Sequence, residues 1–386
     1  MVSFVAEHDE AARLVDRIGM QVTAIFAEAE ARVVEQIARR VLRELPENPS
    51  LALQARVLAE LERFARQAVA GIGPDLAEEV VASAVREGTT AMAQQFASTP
   101  SVARVTGISA STAAAAVLIA SDLGNAFADM RARILRYPRD AMGQFVVGGD
   151  VYQQVIANNA SLAVLGAGFT HDARKAALRE FLERGVTGFT DVAGRNWRIG
   201  TYTEMATRTA VSRAFREGGV GRASAAGVEY FTVLGGRNSC KHCAEWFGKV
   251  LAATGDAGTR IVRHATEDRF ITIRVVGSLA DWRASGAGHP NCTCVLAAYL
   301  PGLTEAVAQG MHDPVKDAAR DHMRFLEREV RAAKRKRDIA EAAGDGPVLE
   351  TAKARIRDLQ AKLREHAAAT DQRRRLEREQ PRFSDG

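Results

Sequence analysis

Apolar residues early in the chain fall at Leu14, Ile18, Val22, Ile25, Ala29, Val33, Ile37 and Val41, in steps of three and four. That spacing puts them on one face of a helix, so one long amphipathic helix is predicted from Val5 to Leu45, stopped by Pro46. Ser50 is placed to N-cap a second helix through Leu51, Val57, Leu61, Phe64 and Val69, which Gly71 to Pro74 ends. A third helix is predicted from Asp75 to Ser98. A fourth is predicted from Ser109 to Ile134, ending near Pro138, with Val117, Leu123, Phe127, Met130 and Ile134 as its buried face.

The pattern then changes twice. Glycine and small apolar residues dominate Gly143 to Gly168, a composition suited to a connector, and His171 to Arg184 reads as a short helix. Thr201 to Arg216 reads as a helix closed by Gly218 and Gly219. Val228–Leu234, Phe270–Val276 and Cys294–Leu300 are short runs of β-branched and aromatic residues, the signature of a small sheet. From Pro314 a helical stripe of Met323, Leu326 and Val330 is interrupted at Gly344 to Pro347 and resumes through Ile356, Leu359 and Leu363. Two such stripes bury each other in a hairpin.

The fold expected is mainly α: an elongated multi-helix N-terminal region, a small α+β module and a C-terminal helical hairpin. The boundaries read as 1–142 for the N-terminal helical bundle or arm and 143–184 for the connector with its short helix. The α+β module then takes 185–302 and the charged hairpin 303–386.

Composition narrows the class. The chain is 47% hydrophobic but only 6% aromatic, ordinary for a folded, helix-rich protein. Residues 1 to 10 carry Glu7, Asp9 and Glu10 where a secretory signal has a basic region and an apolar core, so synthesis in the cytoplasm is expected. The longest apolar run, Ala113 to Ala120, is too short to span a bilayer, and no membrane partner is expected. The net charge of +5 sits mostly in residues 312–386, where mixed-sign charge at helical spacing describes a solvated face or contact with nucleic acid or an acidic partner.

All four cysteines lie between Gly235 and Pro301, as Cys240-Lys241-His242-Cys243 and His289-Pro290-Asn291-Cys292-Thr293-Cys294. Thiolates suit Zn2+, and two cysteines separated by two residues grip one ion from a tight turn. Cys240, Cys243 and Cys294 are expected to bind a structural zinc, with Cys292 and His289 as rivals for the fourth place. A closed set of four ligands braces strands and leaves no open position for catalysis. The H-x-E and P-C-x-x-C pair of zinc deaminases is absent, as are GxSxG, HExxH and a P-loop, so no enzyme is expected. Arg208, on an otherwise neutral helical turn, reads either as an ion pair or partner contact or as a surface charge.

With these residues laid out, the chain resembles the phage minor capsid proteins, the class that includes the F-like head morphogenesis proteins of bacteriophage Mu. Thr190-Asp191, Gly194-Arg195-Asn196-Trp197 and Tyr202-Thr203-Glu204-Met205 leading to Arg208-Thr209 are similar to that family's GR-x-W and Y-x-E-M-x-x-R-T segment. Cys240-x-x-Cys243 with His289 to Cys294 resembles its HPNCRC signature, with Thr293 where the signature has arginine. Met323 to Arg331 with Lys334 is similar to its Q-R-x-x-E-R-x-I-R-x-x-K helix, with Met323 in place of glutamine.

The resemblance implies a structural virion protein associated with the portal vertex and procapsid assembly, made in the host cytoplasm and oligomeric in the head. The portal protein and a major capsid or scaffolding protein would be its partners, with double-stranded DNA beside it. Arg208, Arg328, Arg331 and Lys334, in the matching motifs, are the partner-binding candidates. The alternative reading is a zinc-dependent nucleic-acid-binding protein, prompted by the basic runs Arg331–Arg337 and Arg373–Arg375.

Overall fold

The computed structural model describes residues 4–46, 49–97, 99, 102, 108–146, 189–190, 196–236, 239–307, 312–370 and 372–380. The expected connector beyond Val146, the short helix at 171–184 and the Gly194-Arg195 part of the first motif lie outside these residues.

The chain is mainly helical, with one small mixed sheet. It divides into two compact units, each assembled from separated stretches: residues 1–20, 73–126 and 204–318 in one, and 21–72, 127–203 and 319–386 in the other. Helix α1 spans Phe4–Ile37 and continues as a π-helical turn over Ala38–Glu44. Helix α2 spans Leu51–Ala68, with Ser50 accepting from the Leu53 amide as predicted. Helices α3 and α4 span Pro74–Gln95 and Ala110–Val146. After the two-residue strands β1 (Phe189–Thr190) and β2 (Asn196–Trp197), helix α5 spans Ile199–Ala225.

In the first unit a five-stranded sheet follows α5. Its strands are β3 (Tyr230–Leu234), β4 (Val250–Ala252), β5 (Gly258–Arg263), β6 (Phe270–Ser278) and β7 (Val295–Ala298), in the order β5-β6-β4-β3-β7. Only the β4–β6 pair is parallel. Short helices α6 (Lys241–Ala244) and α7 (Leu279–Ala284) sit between strands. Strand β3 and its neighbour β7, at the edge of the sheet, are buried throughout, so their apolar runs do not alternate. Phe231, Val233, Leu251, Leu296, Trp282 and three of the cysteines share one core cluster. Leu234, Val295 and Ala297 pack with Ala11 of α1 in another.

Gly218 and Gly219 were expected to end a helix, but α5 runs through them to Ala225. The glycines serve a close helix crossing. A Cβ at Gly218 would lie 2.3 Å from the Val85 carbonyl oxygen of α3, and one at Gly88 of α3 would lie 2.0 Å from that of Phe215. Only hydrogen fits on both sides of that contact.

In the second unit Phe26 meets Phe127 with ring centroids 5.1 Å apart at a tilted angle, and Met130, Ile134 and Tyr137 are buried as well. The Tyr137 hydroxyl donates to the buried Glu30 carboxylate at 3.0 Å. Burial pushes the Glu30 carboxyl above its usual range, opposed by the nearby Arg335 guanidinium. Trp197 and Tyr202, from the first motif, meet edge to face at 5.6 Å. The predicted hairpin is formed by α8 (Pro314–Ala343) and α9 (Gly346–Thr370), with Met323, Leu326 and Val330 packed on Ile356, Leu359 and Leu363. Gly344 takes the left-handed conformation, and the Asp345 amide donates to the Ala340 carbonyl, a Schellman-type stop. A 3-10 turn, Leu376–Glu379, follows.

Further details of the helices differ from expectation. Helix α4 continues through Pro138, and Val117 is 68% exposed on it, although Leu123, Phe127, Met130 and Ile134 are buried as predicted. Ile25 is exposed, its neighbour Phe26 being the buried residue. Ala110–Met142 is long and apolar enough to cross a membrane by length and composition, a test that core helices also pass.

Candidate metal centre

The cysteine-bearing segments are carried on the edges of the β3–β7 pair. From β3 the chain reaches Ser239 and Cys240, and the Cys240 sulfur N-caps α6 by accepting from the Cys243 amide at 3.4 Å. This cap fixes the spacing within the C-x-x-C turn and turns Cys243 into the core. The second segment turns through Cys292 N to the His289 carbonyl at 2.9 Å and enters β7 directly after Cys294. Asn291 is the one described non-glycine residue at positive φ, 64°, a conformation asparagine tolerates better than most. Gly288, at φ 70°, lets the segment pass Trp282, whose ring would lie 2.9 Å from an added Cβ.

Five donor atoms fall into two overlapping groups of three. Those of Cys240, Cys243 and His289 lie within 4.8 Å of one another, and so do those of Cys243, Cys292 and Cys294. Cys243 is common to both groups. Its sulfur is 3.5 Å from that of Cys292, and His289 Nε2 is 2.9 Å from the Cys240 sulfur. His289 Nδ1 faces the Pro290 carbonyl at 2.8 Å. His242 is exposed, its ring 6.2 Å from that of His289.

Protons are unevenly shared among these groups. The hydrogen bond from Cys243, and then that from His289, holds the Cys240 thiol down to about 4. The Cys240 sulfur in turn lifts His289 to about 9. Cys292 is pulled down by hydrogen bonds from Cys243 and Cys294, while Cys243, the donor among three sulfurs, is pushed up. The donor set is soft and rich in thiolate, and it can hold a metal ion.

Behind the cysteines lies a contact set that no cysteine pattern indicates. Thr209, Ser212 and Arg216 form a polar stripe on α5. The Thr209 hydroxyl accepts from the Asn291 amide at 3.2 Å, and the Ser212 hydroxyl donates to the Cys292 carbonyl at 2.6 Å. Arg216 donates to the Cys294 carbonyl at 3.0 Å and to Ser212 at 2.7 Å. Its guanidinium is buried and lies over the Trp282 ring at 5.7 Å. His312, isolated in the sequence, has Nδ1 3.2 Å from the Ser239 carbonyl beside Cys240.

The remaining candidates lie elsewhere. Arg208 is half-buried and paired with Asp16 of α1. On α8, Arg328 is exposed, Arg331 donates to the Arg378 carbonyl, and Lys334 donates to Gln380 at 2.8 Å.

Among known proteins, a family model described as Phage minor capsid protein 2 matches residues 12–368. No curated protein and no solved structure gives a significant match.

Proposed function

The chain belongs to the phage minor capsid protein 2 family, a structural capsid family, and from that premise we propose a low-copy structural component of the phage head that acts at the portal vertex during procapsid assembly. The match over nearly the whole chain carries this reading, because it includes the cysteine segments and both helices of the hairpin in one ordered run. Portal protein and major capsid or scaffolding protein are the proposed partners, and the virion, after synthesis in the host cytoplasm, is the proposed location. Mass spectrometry of purified procapsids and mature heads should find the chain at fewer copies than the major capsid protein. Absence from both particles would sink the proposal.

Within it, the cysteine cluster is proposed as a structural zinc centre that ties the β3 and β7 ends of the sheet together. Cys240, Cys243, Cys292 and Cys294 are the proposed ligands. The 3.5 Å separation of Cys243 and Cys292 and the burial of Cys292 favour it over half-exposed His289, which is left to donate to the Cys240 sulfur. When bound, the ion supplies cross-linking energy to a module with a small core, with no chemical step.

Contact with packaged DNA is a lesser part of the proposal. Arg331, Lys334 and Arg374 already bond within the hairpin region, whereas Arg328, Arg357, Arg364 and Arg373 are among the exposed basic residues there. Binding to duplex DNA that weakens steeply with added salt would support it, and no binding at low salt would remove it.

A further inference from the structure

Arg216 is buried, yet among the described residues it makes no ion pair with a carboxylate; its hydrogen bonds end on Ser212 and on the Cys294 carbonyl. A guanidinium enclosed without a counter-charge is costly, so something nearby should supply one. The cysteine cluster adjoins it: Arg216 bonds the Cys294 carbonyl directly and reaches the Cys292 carbonyl through Ser212. A divalent ion held by four thiolates leaves a net double negative charge in the core, which a fixed cation beside it offsets.

Resting on the zinc reading above, we propose that Arg216 is the positioning residue of the metal centre. It is a counter-charge built into α5 that favours the thiolate-bound ion and holds the Cys292–Cys294 turn for it. The stripe of Thr209, Ser212 and Arg216 makes this specific. Three side chains at helical spacing meet successive backbone groups at Asn291, Cys292 and Cys294, so α5 sets the turn in register and places the charge in the same stroke. One guanidinium nitrogen, Nη1, donates to both Ser212 and the Cys294 carbonyl while the planar face of the group lies over Trp282. A lysine keeps the charge and loses the planar face on Trp282. A glutamine keeps a donor and loses the charge.

The test is zinc affinity, by competition with a chromophoric chelator, together with melting temperatures of the zinc-free and zinc-loaded full chain. Arg216→Met and Arg216→Gln should weaken zinc binding by about 10- to 100-fold, the range for residues that support metal ligands. Arg216→Lys should stay closer to the wild type. The loss of melting temperature should fall mainly on the zinc-loaded form, because only there does the Cys292–Cys294 turn that Arg216 holds also carry the ion. A purely packing role predicts equal losses in both forms with unchanged affinity, and that result would overturn the proposal. Should Arg216→Met fail to fold, the contrast between Gln and Lys decides the same point. A wild-type chain that binds no zinc would refute the zinc reading itself and this inference with it. Wild-type binding with an unaffected Gln variant would refute Arg216 alone.

Discussion

At the scale of single residues, the arrangement predicts unequal consequences for five donors that look alike in sequence. Cys243 belongs to both groups of donors, so Cys243→Ser should abolish stoichiometric zinc binding, as read by elemental analysis of the purified chain. Cys292→Ser should remove one thiolate from the charge-transfer band of the cobalt-substituted protein. His289→Ala should leave that band intact and only weaken binding, having lost the hydrogen bond to Cys240. The opposite result for the last pair would make His289 the ligand. The residue types of the centre were legible because thiolate chemistry is confined to few side chains. Arg216 was not. It is an arginine on a helix, 78 positions from the carbonyl it binds, and only the spacing of Thr209, Ser212 and Arg216 on an otherwise small-residue helix hints that this face meets a polar backbone.

Among elements, the hairpin and the turn behind it should respond separately. Leu363 of α9 is fully buried against the α8 stripe, so Leu363→Ala should cost about 2–5 kcal/mol and loosen that pairing in a denaturant titration. Glu379, in the 3-10 turn, accepts from Arg374 at 2.5 and 2.8 Å and from Gln360 of α9 at 2.8 Å. Burial pushes its carboxyl up, but the bonds from Arg374 and Gln360 outweigh this and hold it below the usual 4.5. A carboxyl lowered by folding stabilises above its unfolded value, and that stability is lost as pH falls through the folded value. Protection of the 372–380 amides from hydrogen exchange, relative to the intrinsic rate at each pH, should therefore be high at neutral pH and lost in acid. Glu379→Gln should show little protection at either pH, with a neutral-pH loss of about 1–3 kcal/mol.

Helix positions were readable because burial follows period, but period alone does not say which stripe a neighbour covers. Val117 and Ile25 fit their predicted stripes and are exposed. Pro138 was read as a stop because proline removes one helical hydrogen bond, yet Tyr137 and Met142 on either side are buried, and packing outweighs that local cost. Strands β4 and β5 were missed for opposite reasons: β4 is three residues long, and β5 is exposed or half-exposed at every position, so it has no apolar alternation to read.

Considering the whole molecule, neither compact unit is a continuous piece of chain. Residues 204–318 contain the entire cysteine centre, yet Leu234 and Val295 are covered by Ala11, and Gly218 lies against Val85. Expressed alone, 204–318 should aggregate or bind zinc without a cooperative melt, and residues 1–126 added in trans should restore one. A cooperative melt of the isolated fragment would show that the module is self-sufficient.

The helix crossing at Gly88 and Gly218 joins parts of the chain that leave the ribosome far apart in time. Residues 1–20 and 73–126 emerge early and must wait for 204–318 before their unit can close, and the other unit waits for the hairpin. Synthesis therefore leaves a long interval in which α3 and α4 exist with their glycine and apolar faces uncovered. The first unit therefore commits to its final form only once residues 204–318 have emerged.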